Sequence, residues 1–396
     1  MNEFHKILPF TSTWFFIYLI CTVGFFYIVK TVFSRKIKFS WLIALSSIIY
    51  LVLLFPKPFR LIGVLVYYYL IYYILGRKIK YQKLLLPIIL ISLPMFFMKF
   101  LGFVPGIFYL NRFTDLLILV LQIVGISYIT FKVIQLYIDE KDNEKTVSIL
   151  NFFNFTTFVP TLLIGPIDRY NRFTTNVENG YDLMNYTNFT KGFDCFIKGL
   201  LYKFIIGEAI SRLVLSHLID DGSVVYHLSY MYTYLFYLFF DFAGYSLLAI
   251  SFGNFIGIDV PFNFDKPFLA VNPKELWKRW HKTLGDWLND YFFKPIFKEL
   301  TSKKSFKSSI QRQNVALFLT FTLMGFWNGI TSYYIASGML FGLYSVIHNY
   351  YYYLCQKNKR DVIFGSLNPK LVRLISIFIM FNAVAFAIYI FSGKLI

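Results

Sequence analysis

Two segments hold the side chains best suited to chemistry. Residues 277–291 read WKRWHKTLGDWLNDY and Leu323–Gly329 reads LMGFWNG, both inside an intensely apolar chain. Trp277, Trp280, His281, Leu284, Trp287, Leu288 and Tyr291 recur at three- and four-residue spacing, which predicts one amphipathic helix carrying them along a single face. An imidazole ordinarily titrates near neutrality, so His281 is suited to moving a proton or holding a reacting group. An ionisable side chain at membrane depth is costly and is by default a candidate functional residue. Spacing alone leaves two readings of His281 open: a hydrogen-bonded core histidine, or a working one.

Asp241 lies deep in the apolar run FFDFAGYS (Phe239–Ser246). A buried carboxylate must be paired, neutral or hydrated, so Asp241 either anchors a polar network or pairs with a nearby Lys or Arg. Asp265 and Lys266 in PFNFDKPF, and Asp168 and Arg169 in GPIDRYNRF, either bind a charged substrate group or fix loops. His348 reads as an interfacial histidine, and His5, His217 and His227 have no supporting constellation. No two His or Cys have zinc spacing on a helix, and no metal is expected. No phosphate-binding loop, dinucleotide fingerprint or nucleophile elbow occurs, which leaves a pump or hydrolase unsupported. Cys21, Cys195 and Cys355 read as buried small hydrophobes.

The elements that must position these residues are set by composition. Of 396 residues, 57% are hydrophobic, 21% aromatic and only 15% charged, against about 25% charged in soluble domains. The expected class is an all-α polytopic membrane protein. The formal charge of +18 does not indicate nucleic acid, because the basic residues sit in short loops between apolar runs. They report topology instead, since Lys and Arg concentrate in cytoplasmic loops.

A span needs about 20 apolar residues, and on that basis about ten or eleven transmembrane helices are expected. The candidates are Thr13–Val29, Phe39–Phe55, Leu61–Leu75, Leu84–Leu101, Leu116–Tyr137, Phe193–Leu215, Tyr226–Ile256, Val315–Trp327, Tyr333–Leu354 and Leu371–Phe391. Val147–Ile164 is interrupted by Asn151, Asn154 and Pro160 and reads as a re-entrant or discontinuous helix. Phe193–Leu215 carries Lys198, Lys203, Glu208 and Arg212 and reads as an amphipathic or inward-facing helix, with Glu208 and Arg212 spaced to pair. The basic clusters Lys30–Lys38, Arg77–Lys83, Lys294–Arg312 and Lys357–Arg373 are expected in the cytoplasm, with both termini outside. Glu3, His5 and Lys6 precede an apolar run without a small-residue cleavage site, so the N-terminal stretch reads as the first span. One integral-membrane domain is expected over 1–396: N-terminal helices (1–140), a motif-bearing core (141–354), and a basic loop with the last helix (355–396).

The order and spacing of GPIDRYNRF, FFDFAGYS, PFNFDKPF, WKRWHKTLGDWLNDY, LMGFWNG and FSGKLI (Phe391–Ile396) resemble the membrane-bound O-acyltransferases, and most closely the branch that D-alanylates teichoic acids. The resemblance covers nearly the whole chain. It implies a ring of spanning helices, with re-entrant and amphipathic helices, around a thin centre and a central tunnel joining the two faces. It also implies transfer of D-alanine from the phosphopantetheine thioester of a small acidic carrier protein in the cytoplasm to a hydroxyl outside. The acceptor is a teichoic acid or an intermediate acyl carrier. No bound cofactor is implied, because the pantetheine arm arrives with the carrier; the other implied partners are membrane lipids. The implied location is the cell membrane of a bacterium, Gram-positive by its polymer.

Carried over residue by residue, the first family histidine falls on His281. Trp280, Trp287, Asp241 and Trp327 fall along the substrate tunnel. Phe292, Phe293, Ile296 and Phe297 fall on the carrier-docking segment, where Lys294, Lys298, Lys303 and Lys304 would steer an acidic partner. The second family histidine, the one expected to act as base, lies in a Trp-His-Gly triplet. Here that triplet is Trp327-Asn328-Gly329. A carboxamide donates and accepts hydrogen bonds but does not titrate usefully, so impaired transfer is expected. Three explanations stay open: an engineered inactive variant, a naturally diverged carrier-binding scaffold, or an active enzyme in which His281 or a water relay takes the proton. A transporter would want related halves with paired polar groups at mid-membrane, and no such symmetry is visible.

Overall fold

The computed structural model describes residues 10, 12–33, 36–55, 58–78, 85–103, 125–140, 147–359 and 368–395. Every regular element among them is helical. The helices are α1 (Thr13–Val32), α2 (Phe39–Leu53), α3 (Pro58–Lys78), α4 (Leu85–Phe103), α5 (Ile126–Glu140), α6 (Ile149–Thr157), α7 (Tyr170–Glu178), α8 (Gly180–Leu183), α9 (Tyr186–Leu200), α10 (Val224–Phe255), α11 (Pro273–Trp277), α12 (Lys282–Leu288), α13 (Lys294–Ser302), α14 (Ser309–Asn328), α15 (Ser332–Lys357) and α16 (Pro369–Phe391). Expectations that fall on Glu3, His5, Lys6, Arg35, Lys80, Lys83, residues 116–124, residues 360–367 and Ile396 lie outside the described residues, as do the side chains of Arg77 and Lys78.

Among the described residues, α1, α10 and α16 are long and apolar enough to cross a membrane. Shorter apolar helices run over Phe39–Leu53, Pro58–Ile74 and Leu86–Phe100. On length and composition the expected ten or eleven spans are therefore not reached among these residues. The cause is visible in the sequence of the others: α14 opens on the polar turn Ser309–Asn314, and α15 ends in a tyrosine run before Gln356 and Lys357. α1 shows why lipid is its solvent. Ser12 accepts the Phe15 N–H as N-cap, Phe15, Tyr18, Leu19 and Phe26 are buried, and the opposite face still presents Trp14, Ile20, Ile28 and Val32. A helix apolar on all sides belongs in a core or a bilayer. Cys21 lies on that outer face and is exposed, which corrects the expectation that all three cysteines are buried; Cys195 and Cys355 are.

The described chain divides into two compact units, residues 1–200 with 244–261, and residues 201–243 with 262–396. In the first unit the broken apolar segment takes the expected form: α6 stops at Thr157 and a 3₁₀ turn follows at Val159–Thr161. A backbone broken at membrane depth needs partners for its freed groups. Lys132, fully buried on α5, supplies them, its Nζ donating to Phe155 O at 2.8 Å and to Thr161 Oγ1 at 2.9 Å. Asn154 donates to Ser40 O at 2.8 Å. Gly165 folds back so closely that a Cβ there would lie 2.3 Å from Pro160 O.

The expected amphipathic helix over Phe193–Leu215 is helical but changes type where the second unit begins. α9 ends at Leu200 and the backbone widens into π turns at Leu201–Gly207 and Ile210–Val214. Glu208 and Arg212 do pair. The helices α14 and α15 form a tight hairpin. A Cβ on Gly338 would lie 2.5 Å from Phe321 O, and one on Gly325 2.6 Å from Tyr334 O, so only glycine lets the two backbones come this close.

Candidate active site

The segment around His281 is not one continuous helix. α11 ends at Trp277, the chain turns through 278–281, and α12 begins at Lys282. His281 sits at the break with φ +43°, in the left-handed region. That conformation costs an L-residue roughly 1–2 kcal/mol, so tertiary contacts must hold it. They come from the loop before α11: Asp265 N–H donates to Arg279 O at 2.9 Å, and Lys282 N–H donates to Asn263 O at 2.9 Å. Arg279 is fixed in turn by Glu275, with Nη2–Oε1 at 2.6 Å. The predicted helical stripe fails at this turn because two backbone hydrogen bonds to a neighbouring loop outweigh helix continuation. The burial pattern nevertheless holds, with Trp280, His281, Leu284, Trp287, Leu288 and Tyr291 buried; Trp277 is half-buried against Phe321 and Phe341, with ring centroids at 4.9 and 5.2 Å.

Around His281 the walls are aromatic. Phe242 of α10 meets the imidazole edge-on, centroids 4.7 Å apart. Trp327, the penultimate residue of α14, lies 6.5 Å from it. Trp280 packs against Phe264 at 5.5 Å and Phe239 at 6.0 Å. His281 is 7% exposed and its Nδ1 has no hydrogen-bond partner among the described residues. Burial pushes the imidazole down to about 3, so the ring is neutral at physiological pH. In this enclosed state it can donate or accept a hydrogen bond but is a weak base, because a general base works best near the operating pH.

The other expected site residues divide. Trp327 comes to the imidazole and Asn328 is its chain neighbour at the end of α14, its amide Nδ2 donating to Met324 O at 2.9 Å. Trp287 is buried against Tyr291, 5.3 Å away. Asp241 pairs with Lys203, Oδ1–Nζ 2.5 Å, which is the pairing read as its structural alternative. Asp265 fixes the loop through its backbone and Lys266 holds a left-handed φ of +47°, while both residues remain exposed. In the first unit Asp168 is buried and pairs with Arg172, Nε–Oδ1 2.9 Å, while Arg169 offers it a backbone N–H. Phe292 and Phe293 lie on a π turn at Asn289–Phe293, and Lys294, Ile296, Phe297 and Lys298 on α13. The rings of Phe293 and Phe297 stack in parallel at 6.0 Å, and Lys294 pairs with Asp290 at 2.8 Å. His348 stacks on Tyr352 far down α15. No cluster of three metal-ligating side chains occurs among the described residues.

Sequence reasoning passed over Lys132 and Asn263. The signal for Lys132 was present, a lone ammonium inside a predicted span. Asn263 gave none, because an Asn in a proline-bounded loop is ordinary.

The family model of the membrane-bound O-acyltransferases matches residues 37–390. The chain is 37% identical over 280 residues to a teichoic acid D-alanyltransferase of Bacillus subtilis (strain 168), covering 69% of each chain. It is 36% identical over 289 residues to the protein of that name from Streptococcus thermophilus, again covering 69% of each. A peptidoglycan O-acetyltransferase of Helicobacter pylori is 30% identical over 253 residues, 62% of this chain and 44% of that protein.

Proposed function

Because the chain belongs to the membrane-bound O-acyltransferase family, and is by that membership a multi-pass membrane acyltransferase, we propose that its acyl group is D-alanine and its acceptor a hydroxyl of a teichoic acid or of an intermediate acyl carrier. The donor is a phosphopantetheine thioester on a small acidic carrier protein. The carrier docks on the cytoplasmic side at Phe292, Phe293, Ile296 and Phe297, with Lys294 and Lys298 steering it. The host is a Gram-positive bacterium, both termini lie outside, and residues 1–396 work as one domain. The observation that carries this reading is the buried, neutral imidazole of His281 walled by Phe242 and by Trp327, the residue beside Asn328.

Transfer moves the acyl carbon from sulfur to oxygen. The acceptor hydroxyl loses its proton as the C–O bond forms, and the thiolate leaving the carbonyl takes one up. His281 holds the donor or acceptor by hydrogen bonding, and position 328 faces the reacting centre. With Asn328 there, neither group titrates near neutrality, so the chemical step is slow. The deciding experiment is transfer from D-alanyl-loaded carrier to acceptor in liposomes, comparing the chain with Asn328→His. A rise on reversion supports the reading; an unchanged rate in a folded protein removes position 328 from the site.

The same weak-base chemistry favours a second reading, a scaffold that docks the carrier without turnover. It predicts carrier binding without turnover by the chain as it stands, and weakened binding in Phe297→Asp.

A further inference from the structure

We propose that Asn263 and Thr283 form a clasp that positions the His281 imidazole, a role that rests on His281 being a site residue. Asn263 is fully buried in the loop ahead of α11, and Thr283 is buried in the first turn of α12. They grip the chain on the C-terminal side of His281 twice. The Asn263 carbonyl accepts the Lys282 N–H at 2.9 Å, and its side-chain Oδ1 accepts the Thr283 hydroxyl at 2.5 Å. On the N-terminal side, Asp265 N–H reaches Arg279 O at 2.9 Å. His281 is thus tied down from both directions by one short loop, in a left-handed conformation its own sequence does not favour.

The clasp leaves two buried polar atoms without partners among the described residues, Asn263 Nδ2 and His281 Nδ1. Leaving such atoms unmet is costly, and they mark a place where the fold holds polar groups ready rather than satisfied. Packing explains why the ring is buried. The two backbone bonds from the loop open the turn, and the Asn263–Thr283 side-chain bond locks the first turn of α12 against that loop, which fixes how the turn presents the ring. The bond requires a hydroxyl at 283 and a carbonyl at 263, so an isosteric Val at 283 removes it while keeping volume.

The test uses the full chain in detergent or liposomes, with a probe that works without turnover: carbethoxylation of His281 by diethyl pyrocarbonate, followed by mass spectrometry. We expect slow modification in the parent and in Thr283→Ser, and at least fivefold faster modification in Thr283→Val at an unchanged melting temperature. In the Asn328→His background, Thr283→Val should lower turnover about tenfold or more with the KM for loaded carrier unchanged, and Thr283→Ser should restore it. An unaltered modification rate in folded Thr283→Val overturns the clasp, whatever transfer does. If Thr283→Val and Thr283→Ala fail to fold while Thr283→Ser folds, the pair serves folding and the positioning role is overturned. Loss of the proposed site is read separately: turnover that survives His281→Ala removes His281 from the reaction and leaves the modification result standing.

Discussion

Phe242 and His281 meet edge to face, 4.7 Å between centroids at an interplanar angle of 76°. The contact joins the long helix α10 to a turn that contains no helix of its own, and it shuts water away from one side of the imidazole. Aromatic enclosure and neutral charge are therefore one fact: the ring that walls the site also keeps the proton off.

That enclosure sets a pH dependence. In the unfolded chain the imidazole titrates near its ordinary 6.5, while in the folded chain burial lowers it to about 3. Above 6.5 both states are neutral and the site contributes no slope. As pH falls from 6.5 toward 3, the unfolded state takes a proton that the folded state refuses, and stability is lost. His281→Gln should flatten the melting-temperature curve between pH 7 and pH 5 relative to the parent. Equal slopes in the two proteins would mean that the imidazole is already hydrated.

Restoring a titratable base at position 328 should raise transfer. General-base catalysis typically contributes about 10²–10⁴-fold, and a gain of that order is expected for Asn328→His in single-turnover transfer from loaded carrier. His fits a position at the end of α14 where, among the described residues, the present side chain bonds only its own helix, so the melting temperature should stay within a few degrees.

The carrier surface is tested by placing a negative charge at Phe297. Phe297 stacks on Phe293 over exposed helix α13, and Phe297→Asp would place a carboxylate against an acidic partner. Affinity for the carrier, read by surface-immobilised binding, should fall at least tenfold while the melting temperature changes little. Undiminished affinity would move docking elsewhere.

Lys132 should matter for stability and not for transfer. Lys132→Ala leaves Phe155 O and the Thr161 hydroxyl without their buried donor, at roughly 1–3 kcal/mol each. Thermal unfolding in detergent should shift down by several degrees, and more than for Lys198→Ala, whose pair with Asp194 is exposed.

The sequence was readable where one physical rule governed. Apolar length marked α1, α10 and α16, the Asn–Pro interruptions marked the break after Thr157, and three–four spacing marked Trp280, Leu284, Trp287 and Leu288 as buried. It was unreadable where distant backbone groups overrode a local preference. Nothing in WKRWHKTLGDWLNDY announces that Asn263 and Asp265 will pull it open at His281. The pairing of Asp241 was legible but its burial was not: its side chain is 40% exposed, and its partner Lys203 sits within a π turn that no periodicity signals.

The glycine crossing of α14 and α15 has a mechanical consequence. Where Gly325 meets Gly338 the two backbones touch directly, just ahead of Trp327 and Asn328, so any larger side chain there would push the helices apart. α13 leads into the far end of this hairpin at Ser309. A side chain added at either glycine would therefore displace Trp327 from beside the imidazole.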